Sequence, residues 1–338
     1  MKRRAFLKVI GGATGSLAVG HDTGLQAAPP TREAPQGASG LARRALGTSG
    51  QKVSIVGFPG LCLIHYDQKR CDAGVRAALD RGVNYFDVAP AYGTAQARLG
   101  AALKGIDRAR FFLACKTKMR DKAAARKELE ESLKLLGTDY FDLYQLHHLV
   151  RPEEVAQAVG PGGAMETILK AKEEGKVRLV GFSAHTTKAA LAALEGFAFD
   201  TVMFPINFVE FFLRGFGKQV LELAQKKGAA VLAIKAMSRG LWPKGVERTI
   251  KWWYRPVEDP AELDLAWRFT LSQPGVAAGF PPAFLELLDK AVETAKHFRP
   301  ITPPEMDQLR RIAEGCESVF LREDGQVAMS CCSGGFPS

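Results

Sequence analysis

The sequence has few of the features that mark nucleic-acid binding or membrane insertion. Its 46 Lys and Arg residues exceed its 36 Asp and Glu residues, which gives a formal net charge of +10. No dense basic tract with interleaved aromatic residues occurs, so nucleic-acid binding is not predicted. No apolar run after the N-terminus approaches the ~18 residues that a membrane span needs. The modest basicity suits attraction of an anionic substrate or of cofactor phosphates.

Cysteine is also scarce, with six residues in 338. Their spacing fits no zinc or haem pattern, so no metal site is predicted. Cys331 and Cys332 are adjacent in a Ser/Gly-rich stretch, and adjacent cysteines rarely bridge each other because the disulfide would strain the peptide. Three alternatives stay open: a loose tail, a disulfide with Cys316, or a redox-sensitive pair.

The first 40 residues are unlike a folded domain. Arg3 and Arg4 precede a mildly apolar stretch rich in Gly and Ala, and "LQAAPP" offers a small-residue cleavage site. This pattern resembles a twin-arginine (Tat) signal peptide over residues 1–28, followed by a linker over residues 29–40. The expectation is export to the periplasm by the Tat machinery. The alternative is an amphipathic first helix.

From about residue 53 to residue 300, short apolar runs alternate with segments of helical periodicity. The apolar runs are residues 53–58, 83–87, 111–116, 140–147, 177–183, 201–207, 229–237 and 275–280. The helical segments are residues 72–82, 95–105, 123–137, 164–175, 186–196, 217–228, 259–272 and 283–296, with an extra helix near 304–317. Apolar strands that alternate with helices indicate a parallel sheet covered on its outer face.

Eight such units over about 250 residues favour a (β/α)8 TIM barrel, and an open eight-stranded sheet is the alternative. The predicted barrel domain covers residues 41–318, and residues 319–338 form a C-terminal tail. Active sites of such barrels lie at the C-terminal ends of the strands.

Four residues that can handle protons fall at these strand ends. Asp87 ends the second strand, Tyr92 lies in the loop that follows, Lys116 ends the third strand and His147 ends the fourth. A free phenol has a pKa of about 10, and a neighbouring ammonium favours the phenolate. An aspartate would hold that ammonium, and a histidine could orient a substrate carbonyl. Each residue also has a purely structural alternative.

This set predicts proton transfer to an oxygen atom while hydride reaches the attached carbon. The protein cannot supply hydride, so a nicotinamide cofactor is implied. Strand alternation predicts that His148 points to the opposite face from His147.

In these motifs the sequence resembles the aldo-keto reductases over about residues 42–300. "NYFDVAPAYG" (84–93), "FFLACK" (111–116) and "DYFDLYQLHH" (139–148) resemble the family segments that carry its catalytic Asp, Tyr, Lys and His. Residues 42–60 are similar to the hairpin that closes the bottom of the family's barrel. The resemblance implies an NAD(P)(H)-dependent oxidoreductase that interconverts aldehydes or ketones and alcohols, with NADP(H) favoured and NAD(H) possible.

The resemblance also assigns a cofactor site, with departures. The implied contacts are Ser183, Asn207, Arg239, Gly240 and Leu241, and Lys235 is added as a possible phosphate contact. Ala184 and His185 follow Ser183 where the family usually has asparagine, and Ile234 replaces an aromatic residue. Residues 279–289 contain no basic residue where the family usually grips the 2′-phosphate.

These departures leave a second interpretation open, a non-catalytic nicotinamide sensor or partner-binding subunit on the same barrel. "GFSAH" and "AIKAM" resemble a branch of the family that carries an iron–sulfur segment, but the tail lacks the spaced cysteines of a cluster. The segment 244–260, with Trp252, Trp253 and Tyr254, is expected either to form an aromatic lid or to pack against the barrel.

Overall fold

The computed structural model describes residues 40–320, and a sheet of eight parallel strands lies at its centre. The strands are β3 (Gly57–Pro59), β4 (Tyr85–Asp87), β5 (Phe112–Thr117), β6 (Phe141–Leu149), β7 (Val177–Ala184), β8 (Thr201–Pro205), β9 (Ala230–Ile234) and β10 (Val276–Gly279). Neighbours in the chain are neighbours in the sheet. Val56 bridges Gly279, whose N–H donates to the Ile55 carbonyl at 2.9 Å, and this pairing closes the barrel. The predicted (β/α)8 barrel is confirmed.

Helices connect the strands and cover the outer face of the barrel. They are α1 (Gln68–Asp80), α2 (Ala95–Leu103), α3 (Lys122–Leu136), α4 (Pro152–Val159), α5 (Ala164–Glu173), α6 (Thr187–Gly196), α7 (Phe208–Arg214), α8 (Lys218–Lys227), α9 (Pro260–Leu271), α10 (Leu285–Lys296) and α11 (Pro303–Glu314). Their ends follow local chemistry. The Asp121 carboxylate accepts from the Ala124 N–H at the start of α3, and Gly137 ends that helix in the left-handed conformation.

The sequence prediction missed two of these helices and misplaced one strand. The short helices α4 and α7 lie in connections that the sequence had left without structure. The predicted first strand over residues 53–58 is in fact divided between β2 (Lys52–Ser54) and β3. The extra C-terminal helix is present as α11.

An antiparallel hairpin closes the bottom of the barrel, as the resemblance predicted. It consists of β1 (Arg43–Ala45) and β2. The Arg44 guanidinium donates to the carbonyls of Leu271 at 2.6 Å and Val276 at 2.7 Å, at the end of α9 and the start of β10. The hairpin is therefore bonded to the last unit of the barrel.

After α11 the chain returns to the barrel. The Leu241 N–H donates to the Glu317 carbonyl at 2.8 Å, and the ring of Phe320 stacks on Phe216 at 4.5 Å. Cys316 is a free thiol, and Cys331 and Cys332 lie outside the described residues. Within residues 40–320, no helix is both long and apolar enough to cross a bilayer.

Candidate active site

The barrel brings Asp87, Tyr92, Lys116 and His147 together at one mouth. Asp87 ends β4, and Tyr92 closes a single 3-10 turn above it. The Lys116 ammonium on β5 bonds to the Asp87 carboxylate and lies 3.3 Å from the Tyr92 hydroxyl. The rings of Tyr92 and His147 meet edge to face, with their centroids 5.5 Å apart. Three adjacent parallel strands and the turn after β4 thus bring all four side chains into one cluster.

The Asp87–Lys116 pair is buried, with Lys116 wholly inaccessible and Asp87 5% exposed. Burial raises the pKa of the Asp87 carboxyl, while the ammonium of Lys116 and the Gln145 amide oppose that rise. A buried ion is stable only with such partners, so each member of the pair requires the other. The consequence is a lysine ammonium fixed beside the Tyr92 hydroxyl.

His147 is held as a neutral imidazole. Burial, reinforced by the neighbouring Lys116 and Lys118, lowers the pKa of His147 well below its usual value. Its Nδ1 atom is buried and has no hydrogen-bond partner among the described residues. A neutral imidazole next to a tyrosine hydroxyl can hydrogen-bond a substrate oxygen without competing for the transferred proton.

His148 does not point to the opposite face, and that prediction was wrong. The pairing of β6 with β7 shifts register between Leu146 and Leu149, and His148 has a φ of 61°. The bulge interrupts the alternation of side chains, so His147 and His148 both line the same cavity. The sequence offered one signal for a site here, a pair of histidines at a strand end.

The stability of the protein should fall on acidification because of His148. Burial, with Lys118 and Lys235 nearby, lowers the pKa of His148 to about 4. The unfolded imidazole takes up its proton near pH 6.5. Stability from the neutral form is therefore present above pH 6.5 and is lost between pH 6.5 and 4, at up to about 1.4 kcal/mol per pH unit.

Urea unfolding of wild type and His148→Asn at pH 7, 6 and 5 measures this loss. Asparagine tolerates the left-handed backbone at this position. The free energy of unfolding should fall less steeply for the variant than for wild type. His297→Asn, a replacement of an exposed histidine, is the matched control. Equal slopes for wild type and His148→Asn would contradict the prediction.

Asp87, Tyr92 and His147 border a cavity of about 120 Å³, and Lys116 lies beneath it, wholly buried. The apolar wall of the cavity includes Met203, Ile234, Phe280, Trp252 and Tyr254. Trp252 and Tyr254 are 5% and 2% exposed. The segment around them thus packs against the barrel and lines the cavity, and the aromatic lid stays a prediction.

The predicted cofactor residues divide into two groups, of which the first lies near the cavity. Ser183 and Lys235 line it, and the Ser183 hydroxyl accepts from the His148 N–H at 2.8 Å. Asn207 is fully buried and is not a lining residue, and it caps α7 through its Oδ1, which accepts from the Glu210 N–H. The Asn207 Nδ2 atom has no partner among the described residues.

The second group, Arg239 to Leu241, does not line the cavity. The Arg239 Nε donates to Glu262 at 2.6 Å. The Gly240 backbone has a φ of 83°, and a Cβ there would lie 2.2 Å from the Glu317 carbonyl oxygen. These residues are engaged with α9 and with the segment after α11.

The residues present fit the ring end of a nicotinamide cofactor. Apolar residues and Tyr92 line one cavity, and the hydroxyl of Ser183, which also lines it, can bind a carboxamide. The buried Asn207 Nδ2 is a second group of this kind, without a partner among the described residues. Within residues 40–320, no group of three His, Cys, Asp or Glu side chains is arranged to hold a metal ion.

Comparison with known proteins agrees with this geometry. Residues 66–306 match the model of the aldo/keto reductase family. Aldo-keto reductase YhdN of Bacillus subtilis is 33% identical over 196 residues, which are 52% of this chain and 54% of that protein. The 6-dehydroglucose reductase of Novosphingobium aromaticivorans is 35% identical over 176 residues, which are 46% of this chain and 55% of that protein. The chain thus spans about half the length of these curated relatives.

Solved structures share the fold. The holo form of aldo-keto reductase AKR11C1 from Bacillus halodurans superposes with a TM-score of 0.66 at 24% identity, over 82% of this chain and 98% of that one. An aldo/keto reductase from Klebsiella pneumoniae, solved with NADP and acetate, gives 0.60 at 24% identity, over 79% and 94%. With its barrel, its clustered side chains and a family match over most of its length, the chain belongs to the aldo/keto reductase family.

Proposed function

We propose that the protein is an NADP(H)-dependent oxidoreductase that interconverts a carbonyl compound and an alcohol. The observation that carries this proposal is the Lys116 ammonium, which is held by Asp87 and lies 3.3 Å from the Tyr92 hydroxyl. Membership of the aldo/keto reductase family supports it. So does the NADP found in the Klebsiella pneumoniae structure, whose fold this chain shares.

Each residue of the cluster has a separate role in carbonyl reduction. His147 donates a hydrogen bond to the substrate carbonyl oxygen and orients it toward Tyr92. Tyr92 donates its hydroxyl proton to that oxygen, and the adjacent Lys116 ammonium stabilises the phenolate that remains. Asp87 holds the Lys116 ammonium in place. Bound nicotinamide supplies the hydride that the carbonyl carbon accepts. Oxidation of the alcohol reverses these roles.

Ser183 and Asn207 are assigned to the carboxamide of the cofactor and Lys235 to a phosphate. Gly240 and Leu241 can join only after the segment at Glu317 moves away, because Gly240 packs against the Glu317 carbonyl and the Leu241 N–H donates to it. Arg239 would have to leave Glu262. Residues 279–289 lack the basic side chains that usually bind the 2′-phosphate in the family, so NAD(H) is expected to bind as well.

The assay is NADPH and NADH oxidation with a broad panel of aldehydes, together with cofactor affinity measured by quenching of tryptophan fluorescence. Turnover with at least one aldehyde supports the reductase. Cofactor binding without turnover of any aldehyde would favour the nicotinamide sensor over the reductase. A lack of affinity for either cofactor would exclude both the reductase and the nicotinamide sensor.

We infer in addition that the protein is exported by the twin-arginine route. The support is the Arg3-Arg4 pair and the small-residue site near Ala28, which lie outside the described residues. Cell fractionation of a bacterial host should find the mature chain in the periplasm. An Arg3→Lys/Arg4→Lys double variant should stay in the cytoplasm, and unchanged export of that variant would exclude the proposed route.

A further inference from the structure

Gln145 is a polar residue inside an apolar barrel. It lies on β6 between Leu143, which belongs to the apolar interior, and His147 at the mouth. Its side chain is fully buried, and in the sheet it is the partner of Lys116 on β5. Alternate residues of a strand point to the same face. Gln145 therefore lies at the level where the apolar interior meets the candidate active site.

The amide of Gln145 bonds to the carboxylate of Asp87. Its Nε2 donates to the Asp87 Oδ2 at 3.3 Å, while the Lys116 ammonium bonds to Oδ1. A carboxylate ion can only accept hydrogen bonds, so the amide must present its nitrogen to it rather than its oxygen. Each oxygen of the buried carboxylate thus has its own donor, from a different strand, and the two donors together hold the group against rotation.

The other polar atom of the amide shows that packing alone does not explain this residue. The Gln145 Oε1 is buried and has no hydrogen-bond partner among the described residues. An unsatisfied buried acceptor costs free energy, and an apolar side chain of similar size would avoid that cost. Functional sites are where proteins tolerate such local conflicts. The bond to Asp87 is the interaction that offsets the cost.

The effect of this bond reaches the proposed proton donor through Lys116. The Lys116 Nζ lies 3.4 Å from the Val88 carbonyl oxygen and 3.3 Å from the Tyr92 hydroxyl. Because the Asp87 carboxylate holds this ammonium, the orientation of the carboxylate sets the distance from Nζ to the hydroxyl. Gln145 itself is not a lining residue of the cavity, so it acts through Asp87.

We propose that Gln145 is a positioning residue for carbonyl reduction. It holds the Asp87 carboxylate in the orientation that keeps Lys116 beside the proton donor. Its effect on turnover rests on the proposed function, whereas its hold on Asp87 can be measured without turnover. A hydrogen bond to the ionised form favours that form, so the Gln145 amide lowers the pKa of Asp87, against the larger effect of burial.

The first test is Gln145→Met, which removes the donor and the unpartnered oxygen with little change in side-chain size. The expected result is that kcat for aldehyde reduction falls at least about 10-fold while KM changes less than about 3-fold, because the bond serves proton transfer and not substrate binding. Gln96→Met is the matched control, since Gln96 is also buried but donates to the Cys115 Sγ at 3.4 Å. A variant with lower thermal stability and wild-type kcat would show a purely structural role and overturn the proposal.

Gln145→Glu separates the hydrogen bond from packing, because it keeps the shape of the side chain. The introduced carboxyl can donate to Asp87 only while it is protonated, and a carboxyl buried beside a carboxylate holds its proton to higher pH. The ratio of its kcat to that of wild type should therefore fall as the pH rises from 5 to 8, and a constant ratio would contradict the bond. The other titratable groups near this position are the same in both proteins: Lys116 and Cys115 on β5, Tyr85 on β4, Tyr92 in the turn after β4 and His147 on β6.

The last test needs no turnover. Carbon-13 NMR of protein labelled at its aspartate carboxyl carbons follows the ionisation of Asp87, with Asp87→Asn/Lys116→Met to assign the signal. The titration midpoint of Asp87 should lie about 1 pH unit or more higher in Gln145→Met than in wild type, and Gln96→Met should titrate as wild type does. A raised midpoint supports the hold on Asp87 even if no aldehyde is reduced, which separates this proposal from the proposed function. Equal midpoints in wild type and Gln145→Met overturn it.

Discussion

Replacement of Tyr92 by phenylalanine is expected to lower kcat for aldehyde reduction by about 10²–10⁴-fold, the contribution usual for general acid catalysis. The hydroxyl lies 3.3 Å from the Lys116 ammonium, and its loss removes the proton donor while the ring can keep its place against His147. The affinity for NADPH should stay within a few-fold of wild type, because the substitution removes one oxygen atom. Steady-state kinetics and fluorescence titration measure the two effects.

Tyr85→Phe is the matched control. Tyr85 lies inside the barrel, and its hydroxyl is buried without a hydrogen-bond partner among the described residues. Its removal should leave kcat unchanged. If Tyr92→Phe reduced aldehydes as fast as Tyr85→Phe, Tyr92 would not be the proton donor, and the proposed mechanism would fail.

Lys116→Met should remove activity and also destabilise the fold. The substitution leaves Asp87 buried without its cation, and breaking a buried pair in this way costs about 3–5 kcal/mol. The fall in kcat should be at least about 10²-fold, since the phenolate of Tyr92 loses its stabilising charge. Chemical unfolding and kinetics on the same preparation give both values.

A second variant separates the two effects. Asp87→Asn/Lys116→Met carries no buried charge at this position, so it should recover more than half of the lost free energy of unfolding while kcat stays low. Lys170→Met is the surface control, because its pair with Glu173 is 61% and 70% exposed and such pairs contribute roughly 0–1 kcal/mol. Equal destabilisation of the single and double variants would show that Lys116 supports the fold by packing rather than by charge.

The sequence predicts the part of this site that depends on regular structure. Asp87, Lys116 and His147 each end an apolar run, and parallel strands in a barrel end at the same mouth. Once the runs were assigned to strands, the cluster followed without any knowledge of loops. The helical pattern near residues 304–317 predicted α11, and the resemblance to the family predicted the hairpin.

The sequence does not predict what depends on a local irregularity or on a distant partner. His148 was misplaced because strand alternation fails at a bulge, and nothing in the residue types marks the register shift. The surroundings of Arg239 to Leu241 depend on Glu317, more than 70 residues away in the chain. Helices α4 and α7 are only eight and seven residues long, too short for a periodic pattern to stand out.

The closure of the barrel has a consequence for its biosynthesis. Arg44 bonds to Leu271 across 227 residues, and the first barrel strand meets the last one over a similar distance. At roughly 5–20 residues per second of synthesis, the hairpin leaves the ribosome roughly 11–45 s before its partner does. During that time the edge of β3 (Gly57–Pro59) that later meets β10 is unpaired, and an unpaired strand edge is a template for aggregation. A nascent chain interrupted before β10 would keep that edge open, with the risk of aggregation that an unpaired strand edge carries.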